Sequence, residues 1–160
     1  MAEVASAGTS LANYSTSIAC TRNGGPGPSG NGTPQLTVTV DAGDQLDCTL
    51  TNRHKAQVTL TKDLVPSSDP GRFDLKLISN TQVKLVKASA ADGDFGSIQV
   101  APGTWTVSES AVSGTNLADY SSSIACTLNG NPGPSGSGTS LPVTLAPADV
   151  LACTITNNRN

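Results

Sequence analysis

Large side chains are scarce in this sequence, which has one Trp, two Tyr, two Phe and one Met. Apolar residues make up 36% of its 160 positions, against roughly 45–50% in an average globular chain. Any core must therefore be thin, and burial of large side chains cannot be the main source of stability. Positive charge is also sparse: nine Lys and Arg are scattered along a chain of net charge −3. No basic stripe exists to neutralise phosphates or to sit on anionic lipid, which argues against nucleic acid as a partner and against membrane association. Long apolar runs are missing too, so no helix of about 18 apolar residues is expected to span a membrane. The first eight residues, Met1 to Gly8, have neither a basic nor an apolar stretch of the kind an export signal needs. The expectation is a chain that neither spans a membrane nor exports itself, with signal and anchor lying outside it.

Catalytic and metal chemistry has little to build on. His54 is the single histidine, without a second imidazole for a metal site and without a serine or cysteine partner for a triad. No C-x-x-C pair is present for zinc or dithiol exchange. Asp92-Gly93-Asp94 lacks the frame of a calcium loop and reads more simply as a turn. The expectation is no metal, no cofactor and no enzymatic turnover. Asn13-Tyr14-Ser15 and Asn31-Gly32-Thr33 are glycosylation sequons, which matter only in a host with that chemistry.

What the chain does have is Gly, Pro, Ser and Thr in abundance, together with four cysteines at positions 20, 48, 126 and 153. The cysteines form two pairs of nearly equal separation. Two structural disulfides, Cys20 with Cys48 and Cys126 with Cys153, are the natural reading, with buried free thiols as the alternative. Thin cores stapled by disulfides belong to oxidising compartments, which places the protein outside the cell, at the surface or in a surface fibre.

The strongest sequence feature is an internal repeat. Glu3–Thr33 aligned with Glu109–Thr139 gives 22 identities in 31 positions. After a one-residue gap the match resumes through Cys48-Thr49-Leu50-Thr51-Asn52 against Cys153-Thr154-Ile155-Thr156-Asn157, a period of about 105 residues. That period is too long for a solenoid and fits a self-contained sandwich strung in an array. Residues 1–55 correspond only to residues 107–160, so the expected organisation is the C-terminal half of one β-sandwich repeat (1–55) followed by a complete one (56–160). Such a half-module leaves an edge and an apolar face uncovered. Its expected partners are neighbouring repeats or other copies of the chain, joined by strand addition, with the strand near Gln57–Leu64 as the natural donor type.

Period-2 alternation predicts strands at Tyr14–Arg22, Leu36–Val40, Gln45–Asn52, Gln57–Leu64, Arg72–Ile78, Val83–Ala88, Gly96–Val100, Thr104–Ser108, Tyr120–Leu128, Ser140–Leu145 and Val150–Asn157. No segment shows a helical period. The Gly-Pro-Ser stretches 23–34 and 129–140 read as loops. The fold class is all-β, a sandwich of the immunoglobulin-like kind.

Three polar residues fall on apolar faces. Lys62 shares a face with Val58, Leu60 and Leu64; Glu109 with Trp105 and Val107; Asn157 with Leu151, Cys153 and Ile155. Here the chain resembles the prealbumin-like, Cna-B-type domains of Gram-positive surface adhesins and pilus stalks. The matching parts are Thr61-Lys62-Asp63 early, Pro102-Gly103-Thr104-Trp105-Thr106-Val107-Ser108-Glu109 in the middle and Thr156-Asn157 at the end. The resemblance implies a self-made isopeptide bond, with Lys62 as nucleophile, Asn157 as acceptor and Glu109 as the acid that polarises the amide. Asn158, next to Asn157, is a second candidate acceptor. Burial suits the chemistry, because it disfavours charge on amines and carboxyls alike. Glu3 and Asn52 repeat two members of the triad without a lysine, so Asn52 is expected to stay unreacted.

The function expected from these features is a structural stalk or fibre module. The alternatives are a ligand-binding adhesin domain, which would want exposed aromatics while Trp105 faces inward, and an accessory β module of a secreted enzyme. The ligand or host surface, if any, is not written in these residues.

Overall fold

The computed structural model describes all of residues 1–160. The chain divides into two compact units, Met1–Lys55 and Ala56–Asn160.

In the first unit, β1 (Tyr14–Arg22), β2 (Gly25–Asn31) and β3 (Leu46–His54) form one antiparallel sheet in the order β2-β1-β3. Cys20 and Cys48 stand directly opposite each other on β1 and β3 and are joined by a disulfide. Ile18, Thr16 and Cys20 are the buried residues of β1, whereas no residue of β3 is fully buried.

The second unit contains β4 (Ala56–Val65), β5 (Phe73–Ile78), β6 (Val83–Ala90), β7 (Phe95–Val100), β8 (Gly103–Ala111), β9 (Tyr120–Leu128), β10 (Asn131–Ser137), β11 (Ser140–Leu145) and β12 (Val150–Arg159). They make a five-stranded sheet, β10-β9-β12-β4-β7, and a four-stranded sheet, β11-β8-β5-β6. One core joins the two sheets: Val58, Leu60, Leu64, Ile124, Leu151 and Ile155 from the first, with Phe73, Leu75, Leu77, Trp105, Val107 and Val143 from the second. The alternation that predicted strands is the alternation of burial. Along β4 every second residue from Ala56 to Leu64 is buried, which is what a strand with one face on a core requires. All pairings are antiparallel but one: β4, the first strand, runs parallel to β12, the last, over nine residue pairs from Gln57–Val150 to Val65–Asn158.

Several expectations need correcting. The stretches 23–34 and 129–140 are not simple loops, since each contains a strand, β2 and β10. Both are edge strands paired on one side only, where proline's missing N–H breaks no ladder if it faces outward. Glycine is required there as well: a Cβ on Gly27 would stand 2.8 Å from the Cys20 carbonyl oxygen, and one on Gly133 3.1 Å from that of Cys126. Conversely, Leu36–Val40 forms no strand, although its counterpart Ser140–Leu145 is β11. In the second unit β11 pairs with Gly103–Ser108. The first unit has only the bridge between Ala2 and Gln35 there, and a strand without a ladder partner does not persist. Two short 3-10 turns, Leu11–Asn13 and Leu117–Asp119, precede β1 and β9, where no helical element was expected. No helix is long and apolar enough to cross a membrane.

A buried lysine, glutamate and asparagine as the candidate functional site

The second unit places Lys62, Glu109 and Asn157 in its core. Lys62 and Asn157 are 0% exposed and Glu109 4%. Each arrives there by strand parity. Lys62 continues the row Ala56, Val58, Leu60 on β4; Glu109 continues Trp105 and Val107 on β8; Asn157 continues Leu151, Cys153 and Ile155 on β12.

The parallel β4–β12 ladder sets Lys62 opposite Ile155 and Leu64 opposite Asn157. Lys62 and Asn157 therefore sit on adjacent strands, two positions apart on one inward face. The Lys62 amine donates to the Ile155 carbonyl at 2.7 Å and to the Asp63 carbonyl at 3.3 Å. It lies 4.8 Å from the Phe73 ring centroid on the facing sheet, and 3.4 Å from Glu109 Oε2. Burial pushes the Lys62 pKa below the ordinary lysine value, and the nearby Glu109 carboxylate opposes that shift without cancelling it.

The geometry leaves a polar surplus. Both oxygens of Glu109 and both amide atoms of Asn157 are buried without a hydrogen-bond partner in the protein. An unsatisfied buried polar group costs about 1–3 kcal/mol, so an asparagine at this position is a poor choice for stability alone. An apolar residue would fill the space without penalty. Asn158, the other candidate acceptor, points away from the core and is exposed.

In the first unit, the corresponding pair is arranged differently. Asn52 donates to Glu3 Oε1 at 2.5 Å and accepts from Thr16 Oγ1 at 2.8 Å. Asn52 is exposed, and Glu3 Oε2 is buried without a partner.

The second disulfide, Cys126–Cys153, joins directly opposed residues of β9 and β12. Both disulfides thus lie within a sheet. His54 packs edge-on against Tyr14 with ring centroids 5.2 Å apart. Asp92 accepts from the Leu64 N–H and Asp94 from that of Ala91, so the Asp92-Gly93-Asp94 carboxylates hold the turn. No cluster of three or more His, Cys, Asp or Glu is placed to hold a metal ion. Trp105 is buried, its indole donating to the Ala101 carbonyl.

One cluster went unread in the sequence. Tyr120 donates to Asp69 Oδ1 at 2.6 Å, and Arg159 donates to Tyr120 at 2.8 Å and to Asp69 Oδ2 at 3.2 Å. This knot ties the last residues of β12 to the turn after β4. Its one sequence signal was that Arg159 shares the parity of Asn157.

Two facing β-sheets with the first strand laid parallel to the last, and a Lys-Glu-Asn group between them, define a prealbumin-like sandwich. The sequence profile of the prealbumin-like fold domain matches residues 1–54 and 57–159, and the chain belongs to that family. No curated protein matches it. Among solved structures it is similar to a point mutant of the major pilin from Streptococcus pyogenes, with 13% identity, 69% of this chain and 49% of that chain covered, and a TM-score of 0.40. It is also similar to the T-13 major pilin protein of the same organism, with 8% identity, 92% and 90% covered, and a TM-score of 0.42. The chain spans about half the length of the first of these pilins.

Proposed function

We propose that this chain is a structural module of an extracellular surface stalk or fibre, in which covalent bonds between strands replace the large core that its composition denies it. The observation that carries the reading is the Asn157 carboxamide, fully buried and unpartnered beside a buried lysine and glutamate. As a reactant it has a reason to be there.

The step balances as follows. Lys62 transfers a proton to the Glu109 carboxylate through their 3.4 Å contact, leaving a neutral amine and a carboxylic acid. The amine lone pair attacks Cγ of Asn157 while the acid donates a hydrogen bond to Oδ1. The C–Nδ2 bond breaks, Nδ2 leaves as ammonia with a proton from the attacking nitrogen, and a secondary amide joins β4 to β12. Burial favours this sequence, because a charged lysine has no lone pair to offer and burial disfavours the charge. The event occurs once per chain, a self-modification and not turnover.

The membership in the family, the two cross-strand disulfides and the repeat support an array in which partners are further modules of the same kind. The oxidising compartment that disulfides require supports an extracellular place. Intact mass decides the central step. The wild-type chain is expected to weigh one ammonia less than its disulfide-corrected sequence, and Glu109→Ala is expected to restore the full mass. Full mass in the wild type overturns the crosslink, leaving the disulfides as the covalent ties.

A further inference from the structure

We infer that Asp92 is a positioning residue for the step that joins Lys62 to Asn157, holding β4 from the turn between β6 and β7 at the point where the amine must meet its acceptor. The inference rests on the crosslink proposed above and adds to it a residue outside the buried triad.

Strand β4 outruns its neighbour on one side. Towards β12 its ladder continues to Val65, opposite Asn158. Towards β7 the pairing ends at Thr61, opposite Phe95. Lys62, Asp63 and Leu64 therefore pass beyond the end of β7, where backbone groups still need partners. The turn of residues 91–94 takes the place of the missing strand. The Lys62 N–H donates to the Asp94 carbonyl at 2.8 Å, and the Lys62 carbonyl accepts from the Gly93 N–H at 2.9 Å. Two residues on, the Leu64 N–H donates to Asp92 Oδ1 at 2.8 Å. The first two contacts are backbone to backbone and do not depend on residue type. The third depends on the Asp92 side chain.

That third contact falls at the reacting pair. Leu64 is the residue opposite Asn157 in the parallel ladder, and Lys62 lies one inward position before it. On the outer face Thr156, next to Asn157, donates to Asp63 Oδ2 at 2.9 Å. The reactive stretch of β4 is thus gripped from both flanks, by β12 and by the turn. Attack on an amide needs the nitrogen held at one distance and angle to Cγ, and a misplacement of about 1 Å costs on the order of a hundredfold in rate. A strand end left open on one side frays, so the side chain that closes it acts on the rate through Lys62 and Leu64. Its charge works the other way. The Asp92 carboxylate favours the charged form of Lys62, which has no lone pair to offer. The hydrogen bond and the charge are separable, because Asp92→Asn keeps the acceptor oxygen and drops the charge, whereas Asp92→Ala drops both.

The full chain is made in an oxidising cell-free translation, synthesis is stopped, and loss of ammonia is followed by intact mass over time. Asp92→Ala is expected to slow the loss about tenfold, while Asp92→Asn reacts at least as fast as the wild type. Asp92→Glu, which keeps the charge and displaces the oxygens by one methylene, is expected to be slowed too and serves where Asp92→Ala folds poorly. Asp149→Ala is the control. It removes a carboxylate that accepts from the Ala146 N–H, in the turn before Val150 and so at the other end of the β4–β12 ladder, and its rate is expected to match the wild type. Far-UV circular dichroism and the Cys126–Cys153 link show that each variant has folded. A wild-type rate in both Asp92→Ala and Asp92→Glu, or equal slowing in Asp92→Asn or in Asp149→Ala, overturns the inference and leaves the crosslink standing. A wild-type chain that never loses ammonia overturns the crosslink and the inference together.

Discussion

Lys62 is the largest fully buried side chain of the core, and its charge is the main electrostatic liability of the second unit. Its pKa in the folded chain lies below the ordinary value of 10.5, with desolvation as the leading cause. For a base shifted downward, the unfolded state binds more protons than the folded one between the two pKa values, so stability rises with pH across that window. The penalty is complete below the folded pKa and vanishes above 10.5. Once the amine is acylated no such titration remains. The Asn157→Ala chain, which has no acceptor in the core, is therefore expected to gain stability as pH is raised toward 10.5, and Lys62→Met added to it is expected to flatten the slope. Urea denaturation at several pH values reads both. A slope that survives Lys62→Met would assign the effect to another group.

These three residues were legible in the sequence because a strand has period two. A lysine, a glutamate and an asparagine each fell on the parity of an apolar row, and nothing more than alternation was needed to turn them inward. The Asp69–Tyr120–Arg159 knot was not legible for the opposite reason. Asp69 reaches Tyr120 from a turn, at a sequence separation of 51 residues, and turn geometry has no period to read. A terminal arginine, moreover, is ordinarily a solvated one.

Among the elements, the disulfides do the work that a thicker core does elsewhere. Each closes a loop of 28 or 27 residues across one sheet, which in the chain-entropy description is worth about 3–4 kcal/mol. In the Asn157→Ala chain, where no isopeptide shortens the unfolded ensemble further, replacing Cys126 and Cys153 together by Ala is expected to lower the stability of the second unit by about that amount. Denaturant midpoints measured with a constant slope give the value. If Lys62 and Asn157 are bonded in the wild type, the same double replacement there is expected to matter less, since the bond would already close the chain between them into a loop.

The element boundaries show what sequence patterns carry and what they omit. Tyr14–Arg22, Tyr120–Leu128 and Ser140–Leu145 fall where alternation put them. Strands β2 and β10 were invisible because their shared Pro-Gly-Pro-Ser-Gly carries no apolar alternation. Their strand character comes from the neighbour they pair with and from close backbone approach at Gly27 and Gly133. Leu36–Val40 teaches the converse. It has the alternation of β11 and lacks the ladder, so pattern alone did not make it a strand.

At the scale of the whole second unit, the parallel pairing of first and last strands decides how force is met. The start of β4 and the end of β12 lie at opposite ends of their shared ladder. Tension applied at the two termini therefore loads nine residue pairs together, in shear, and does not peel them one by one. With Lys62 bonded to Asn157, force would bypass the residues between them. Single-molecule pulling on the chain is expected to show no extension of that segment in the wild type. In the Asn157→Ala chain the second unit is expected to unfold to its contour length less the loop held by Cys126–Cys153. Full extension of the wild type at ordinary forces would remove the load-bearing role and leave a binding role as the better account.

The prolines of β2 bear on more than the strand itself. Pro26 and Pro28 lack N–H groups, and β2 is the margin of the first unit's sheet away from β3. Proline on an outer strand blunts recruitment of a further strand. Strand β10, with Pro132 and Pro134, carries the same guard at the margin of the second unit's five-stranded sheet. The same border is thus closed to edge-to-edge aggregation in both units.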